Sequence, residues 1–200
     1  MKIGIVTPTI LRPSLAKMCA SLDEQTHTDW KHIIQVDRRP THSEHIDLLE
    51  AVDIIGPQRT AYYCDPEHHN FGNTCRFLAW EHTEDCAYTW HVDDDNVLAD
   101  PNILADIATA LDKTGLPDWA IFPILRFGSP FFTPDPRSCY ADTMNIVVKR
   151  EFGRWPDRPE YTADGFWIDA LREHQSPLSF AAFPDFRPIG IMPVQGKGEL

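Results

Sequence analysis

Three consecutive aspartates, Asp93-Asp94-Asp95, follow directly on the run Tyr88-Thr89-Trp90-His91-Val92. Carboxylates this close repel one another, and burial adds a desolvation cost to each. A divalent cation relieves both penalties. Mg²⁺ and Mn²⁺ favour oxygen ligands, and Mg²⁺ is commonly held by one or two carboxylates together with substrate phosphates. The run therefore points to a Mg²⁺ or Mn²⁺ site that meets a phosphate-bearing substrate. The competing reading is a solvated acidic turn that caps the next helix. Strand alternation puts His91 on the face of Asp93, where it either packs in the core or supports the metal ligands.

The elements that would position these carboxylates follow a β-α-β rhythm. Ile3-Gly4-Ile5-Val6-Thr7 reads as a short buried strand, which Pro8-Thr9 breaks. A helix over about 13–25 follows, with Ser14 as its cap and Leu15, Met18, Cys19 and Leu22 as its apolar face. Residues 30–37 read as a second strand that ends on Asp37. This pattern predicts a parallel sheet. Further along, a short helix is expected at 45–52, a strand at 61–64 and a helix over about 74–82 behind Gly72. A strand at 88–92 feeds the aspartates. A helix over about 101–112 is capped by Asp100, with Pro101 at its first position. Strands at 120–125 and 140–148 and a helix at 163–173 complete the set, and the aromatic, proline-rich tail after Ser176 reads as irregular. In open α/β sheets, ligands bind beyond the carboxyl ends of the strands, where Asp93-Asp94-Asp95 falls.

The chain has 200 residues, 42% of them hydrophobic and 24% charged, which suits one globular domain. A net charge of −12 argues against broad binding to nucleic acid, which needs basic surface to displace counterions. The five cysteines are odd in number and none is spaced C-x-x-C, so a reducing cytoplasm is expected rather than a disulfide framework. Cys64, His68, His69, Cys75, His82 and Cys86 match no common zinc spacing. No signal-peptide pattern opens the chain, and no apolar run approaches the roughly 18 residues of a membrane span.

The order of several short segments resembles a family 2-type glycosyltransferase of the GT-A fold. These segments are Ile5-Val6-Thr7-Pro8-Thr9, Arg12-Pro13, Leu22-Asp23-Glu24-Gln25-Thr26 and Val36-Asp37, followed by Gly72-Asn73-Thr74-Cys75-Arg76, Asp93-Asp94-Asp95 and Tyr161-Thr162-Ala163-Asp164-Gly165-Phe166-Trp167. The resemblance implies a Rossmann-like α/β domain with a central, mostly parallel sheet flanked by helices. Residues 1–100 would form its nucleotide-binding half, and 101–200 its acceptor half and tail. It implies transfer of one sugar from a nucleotide-diphosphate sugar to an acceptor hydroxyl with inversion. Thr7, Pro8 and Thr9 would line the nucleotide pocket, Asp37 would bind the base, and Arg76 would approach the nucleotide or its phosphates. Asp93 and Asp95 would hold Mn²⁺ or Mg²⁺, with Asp94 beside them at the donor and His174 as a late third ligand. Asp94 points away from the other two and is expected to tolerate replacement best. Asp164 would be the general base, with Asp169 a competing acid.

Two other functions remain open at this level. One is a non-catalytic nucleotide- or sugar-binding module of the same fold. The other is a different Mg²⁺-dependent nucleotide enzyme such as a nucleotidyltransferase, which the lack of glycine in Pro8-Thr9-Ile10-Leu11-Arg12-Pro13 disfavours. The absence of Q-x-x-R-W argues against a processive synthase. The acceptor is left open among a glycan, a protein, a small molecule and a modified base. The 127–136 loop and Phe180, Phe183 and Phe186 are read either as acceptor-site elements or as a flap over the core or a homodimer interface.

Overall fold

A computed structural model describes residues 1–37, 58–64, 68–132, 141–160 and 163–192. The helix expected at 45–52 lies outside these residues. Eleven described strands form two sheets. The larger sheet has the order β10(Phe180–Ala182), β6(Trp119–Ile121), β9(Ile146–Lys149), β4(Tyr88–His91), β1(Ile3–Thr9), β2(Trp30–Val36), β3(Arg59–Tyr63). All its pairings are parallel except those of β9, which runs against both β4 and β6. The smaller sheet has the order β5(Val97–Leu98), β11(Gly190–Met192), β7(Ile124–Arg126), β8(Ser129–Phe131).

Alternation on the central strands explains the layers. Ile3 and Ile5 of β1 share one core cluster with Leu15, Met18 and Leu22 of α1(Ser14–Asp23) and with Ile103, Leu104, Ile107 and Leu111 of α3(Ile103–Lys113). Val6 joins Ala79 of α2(Asn73–Ala79) in a separate cluster. On β9, Val147 belongs to the first cluster, whereas Ile146 and Val148 pack with Trp167, Ile168 and Leu171 of α4(Ala163–Arg172). Successive side chains thus serve opposite faces of a sheet buried on both sides, as a parallel sheet requires.

Gln25-Thr26 stitches α1 to α3. The Gln25 amide donates to the carbonyls of Ser21 and Asp100 and accepts from Leu104 N, and Thr26 N donates to the Pro101 carbonyl. This fixes the helix that follows the aspartates against the helix that follows β1.

Three expectations are corrected. First, β1 does not stop at Pro8: it continues to Thr9, opposite Gln35 and Val36 of β2. Val6 turns its carbonyl toward Val92. Two residues later, Pro8 has its missing donor on that same side, past the end of the β4 pairing, so no ladder bond is lost. Second, the strand read at 120–125 is two strands in different sheets, β6 and β7, parted by Pro123. Third, the tail holds β10 and β11. Strands of three residues are too short to display an alternating pattern.

Candidate functional site

The topology reverses at β1: β2 and β3 lie to one side, β4 and β9 to the other. Chain ends diverge at such a switch point and leave a crevice beyond the sheet. A cleft of about 800 Å³ opens there. Its walls include Pro8 and Thr9 at the end of β1, Arg12 beyond it, Asp37 after β2, Gly72, Asn73 and Arg76 at α2, and Asp93, Asp95 and Asn96 after β4. Arg126, Phe127, Asp142, Thr143, Trp155, Asp164 and Met192 complete the lining.

The three aspartates divide their work. Asp93 and Asp95 face the cleft with partly exposed side chains, while Asp94 is fully buried beneath them. Asp94 Oδ2 accepts from Thr9 Oγ1 at 2.5 Å and from Arg12 Nε at 3.3 Å. Arg12 Nη2 stands 2.7 Å from Oδ1 but off the hydrogen-bonding direction, so Oδ1 has no hydrogen-bond donor among the described residues. Burial pushes the Asp94 carboxyl up to about 6, against the pull of Thr9 and Arg12. It also raises Asp95, which Arg12 Nη1 meets at 3.2 Å. Asp94 therefore ties the end of β1 to the end of β4. Its side chain points away from the cleft, as alternation predicts, but into a buried clamp rather than to solvent.

Arg76 is 5% exposed and reaches the same cluster from α2. Its Nη2 pairs with Asp93 Oδ1, its Nη1 donates to the Phe71 carbonyl at 3.0 Å, and its guanidinium lies 4.9 Å from the Trp155 ring. Gly72 makes this approach possible. Its φ of +75° is a left-handed conformation, and a Cβ there would stand 2.6 Å from Pro8 Cβ. Trp155 Nε1 donates to Asn73 Oδ1 at 3.2 Å, which holds the ring under Arg76.

Asp37 is 3% exposed. Its two oxygens accept the backbone N–H groups of His68 and His69 at 2.8 and 2.9 Å, so it orders the chain leading to Gly72. Each oxygen keeps a second lone pair for another donor. Behind it, the Cys64 and Cys75 sulfurs are 3.4 Å apart. Asp37, Cys64 and Cys75 offer ligand atoms within 4.8 Å of one another, a grouping that their sequence spacing conceals.

Asp164 lies in the first turn of α4 and lines the cleft, with Oδ1 accepting from Gly165 N at 2.8 Å. Burial raises its carboxyl, Asp93 adds to the rise, and Arg76 opposes it. Asp169, one turn on, does not line the cleft.

Two predicted site residues are elsewhere. Thr7 is fully buried. Its hydroxyl meets His32 Nε2 at 3.0 Å in a chain that continues through Arg59 to Asp23, a polar strut in the core. Strand alternation turns Thr7 and Thr9 to the same face, but only Thr9 lies at the open end. His174 is exposed beyond α4, with Nδ1 at the Ser176 carbonyl and its ring edge-on to Phe152, and it does not line the cleft. His91 is packed, edge-on to Trp155 and Trp167, with its pKa pulled down to about 3 by burial and then by Arg76. Phe183 stacks on Phe122 and Phe186 meets it edge-on, both packed against the core, and Phe180 packs on Trp119.

Asn96, Arg126, Asp142 and Trp155 were missed as site residues. Asp142 caps the turn Thr143–Asn145 by accepting from Met144 N at 3.0 Å, and burial raises its carboxyl. Nothing in a D-x-x-N turn signature distinguishes a cap from a cleft residue. The one signal available for Arg126 was a lone charge in an otherwise apolar stretch.

No protein-family model matches the sequence, and no curated protein matches it. Among solved structures, the chain is similar to S. aureus TarS 1–349, with a TM-score of 0.72 and 11% identity over 96% of this chain and 60% of that one. It is similar to the same TarS fragment in complex with UDP-GlcNAc, with a TM-score of 0.67 and 11% identity over 100% and 60% of the two chains. It also resembles the mannosyltransferase PcManGT from Pyrobaculum calidifontis in complex with GDP-Man and Mn²⁺, with a TM-score of 0.68 and 12% identity over 98% and 58%. The chain thus spans about 60% of the length of these structures. The fold is that of GT-A glycosyltransferases: a mixed α/β domain with a central, mostly parallel sheet flanked by helices.

Proposed function

We propose that this chain transfers a single sugar from a nucleotide-diphosphate sugar to an acceptor hydroxyl, with inversion and with the help of Mn²⁺ or Mg²⁺. The observation that carries the reading is the convergence of Asp93, Asp95, Arg76 and Asp164 on one cleft at the switch point of a GT-A fold. Among the structural relatives, TarS is in complex with UDP or UDP-GlcNAc and PcManGT with GDP-Man, which makes nucleotide-sugars the first donors to test.

The donor set fits a hard cation. Arg76 meets only Oδ1 of Asp93 and Arg12 only Oδ2 of Asp95, and both carboxylates open onto the cleft. Asp93 and Asp95 would hold the ion, and the bound ion would offset charge on the diphosphate leaving group. Arg76 supports the same charge from the α2 side, in a site where Trp155 shields it from solvent. Asp37, at the end of β2, is positioned for the base of the nucleotide. Asp164 takes the proton from the acceptor hydroxyl, so that the acceptor oxygen attacks the anomeric carbon as the diphosphate leaves. Its raised carboxyl is better matched to that proton than an exposed aspartate.

The test has two steps. Thermal shifts with UDP, GDP and their sugars, with and without Mn²⁺, identify the donor; stabilisation should require both nucleotide and metal. Asp164→Asn should then bind the donor like the wild type while kcat falls by roughly 10²–10⁴-fold. Unchanged turnover in that variant removes Asp164 as base. Donor binding without any turnover supports a non-catalytic binding module instead.

A further inference from the structure

Three arginines line the cleft, and two of them are already committed. Arg12 pairs with Asp94 and Asp95, and Arg76 pairs with Asp93. Arg126, at the end of β7, makes no ion pair or hydrogen bond within the described residues. Its guanidinium rests against the Phe127 and Phe131 rings at 5.4 and 5.0 Å, and its Nε is shielded from solvent without a partner. A sequestered, unpaired N–H on a cation is costly, and such an atom calls for a ligand or water to complete it.

The register of the small sheet gives Arg126 a neighbour. Arg126 lies opposite Met192, and Ile191 lies opposite both Leu125 and Val97. Because β11 runs against β5, the next rung brings Met192 beside Asn96. Asn96, just before β5, Met192 on β11 and Arg126 on β7 therefore stand in a row, and all three line the cleft. With strands about 4.8 Å apart, the outer two are roughly 10 Å from each other. The Asn96 side chain is fully buried, and neither its Nδ2 nor its Oδ1 has a partner.

Arg12 and Arg76 are held by Asp93, Asp94 and Asp95, whereas Arg126 enters the cleft from the small sheet without such a pair, in a lining it shares with Asp142 and Asp164. We infer that Arg126 is an anion-binding subsite for the acceptor, with Asn96 across Met192 as a polar contact for the rest of that molecule; the acceptor is a hydroxyl compound carrying a phosphate or carboxylate group. The inference rests on the sugar-transfer reading. The planar guanidinium fork suits either anion, and Phe127 and Phe131 hold it flat at the mouth of the cleft. Asp142, in the same cleft lining, accepts a hydroxyl of the same molecule, and Asp164 receives the hydroxyl that reacts.

The probes are glycerol 3-phosphate, glycerate and glycerol, which share a hydroxyl frame and differ in the anion. Binding to the full chain is followed through the Arg126 Nε–H signal in ¹⁵N-resolved NMR, assigned by its loss in Arg126→Gln. One or both anions should shift the signal saturably, and glycerol should not. The responding anion separates a phosphate acceptor from a carboxylate one. Arg126→Gln should weaken that binding about tenfold or more, with Arg126→Lys intermediate. Adding UDP or GDP with Mn²⁺ should leave the response in place. A flat response to both anions, or equal affinity in Arg126→Gln, overturns the subsite. Displacement of the anion by nucleotide assigns Arg126 to the donor and also overturns it. Nucleotide binding is measured separately by thermal shift in wild type and Arg126→Gln. Its absence in both counts against sugar transfer and is read independently of the Arg126 signal.

Discussion

Replacing Asp94 by asparagine should stabilise the metal-free protein at neutral pH. The carboxyl is fully buried, with its pKa raised from an ordinary 3.8 to about 6. An acid whose pKa is higher in the folded chain binds its proton more tightly there. Its contribution to stability is therefore greatest below the unfolded value and is lost as pH rises through the folded one. The rise corresponds to about 3 kcal/mol withdrawn between roughly pH 4 and pH 6.5. Asparagine mimics the protonated acid and can still accept from Thr9 Oγ1, but its amide donors face Arg12. Arg12 is about half exposed and can turn to water or to Asp95, so about half the gain should survive. That is about 1.5 kcal/mol, or a Tm rise of about 3–6 °C in a chain of this length. The assay is thermal unfolding in EDTA from pH 4 to pH 8, comparing wild type, Asp94→Asn and Asp94→Ala. The alanine variant loses the Thr9 and Arg12 contacts as well and should be less stable than the asparagine variant throughout. A lower Tm for Asp94→Asn at pH 7.5, or an unchanged slope between pH 4 and pH 6.5, would refute the reasoning.

Other expectations concern the supports of the cleft. Gly72→Ala forces a left-handed residue to carry a Cβ 2.6 Å from Pro8, so a loss of more than about 1 kcal/mol is expected in the denaturant midpoint. The same change should weaken nucleotide binding, because Pro8 and Arg76 shift together. Asn145 is fully buried, donates to the carbonyls of Phe122 and Phe131 and accepts from Asp142 N. Asn145→Ala leaves those groups unpaired, which should cost about 2–4 kcal/mol in a urea melt; an effect below about 0.5 kcal/mol would show that the turn bearing Asp142 does not depend on this amide.

The sequence carried the central strands and the chemistry of their ends, because both depend on local signals. A β-branched run followed by a helix and a strand ending in Asp37 is readable from spacing alone. So is the placement of Asp93 and Asp95 after a strand. What was hidden depends on pairing across long separations. The role of Asp94 follows from the nearness of Thr9 and Arg12, which lie some eighty residues earlier. The Asn96–Met192–Arg126 row needs the register of β5, β11 and β7, strands too short to announce themselves. Thr7 and His174 fall outside the cleft for a related reason: residue type and motif order cannot say how far along a strand the open end lies, or where the chain turns after α4.

The charge of the cleft bears on how a donor could enter it. Five aspartates and three arginines line it, and the buried Asp94 adds a carboxylate beneath. Arg12 and Arg76 are already paired with the acidic run. A nucleoside diphosphate brings further negative charge to this surface, so the attraction that remains is small until a cation binds Asp93 and Asp95. Nucleotide affinity should accordingly fall at least tenfold when Mn²⁺ is replaced by EDTA, and Asp95→Asn should bring the Mn²⁺ titration down to the same level. Isothermal titration of UDP and GDP under both conditions reads this directly. Equal affinity with and without metal would mean that the arginines leave their aspartates to meet the phosphates. In that event the acidic run would act as a latch for Arg12 and Arg76 rather than as a ligand set, and Asp93→Asn would tighten nucleotide binding instead of weakening it.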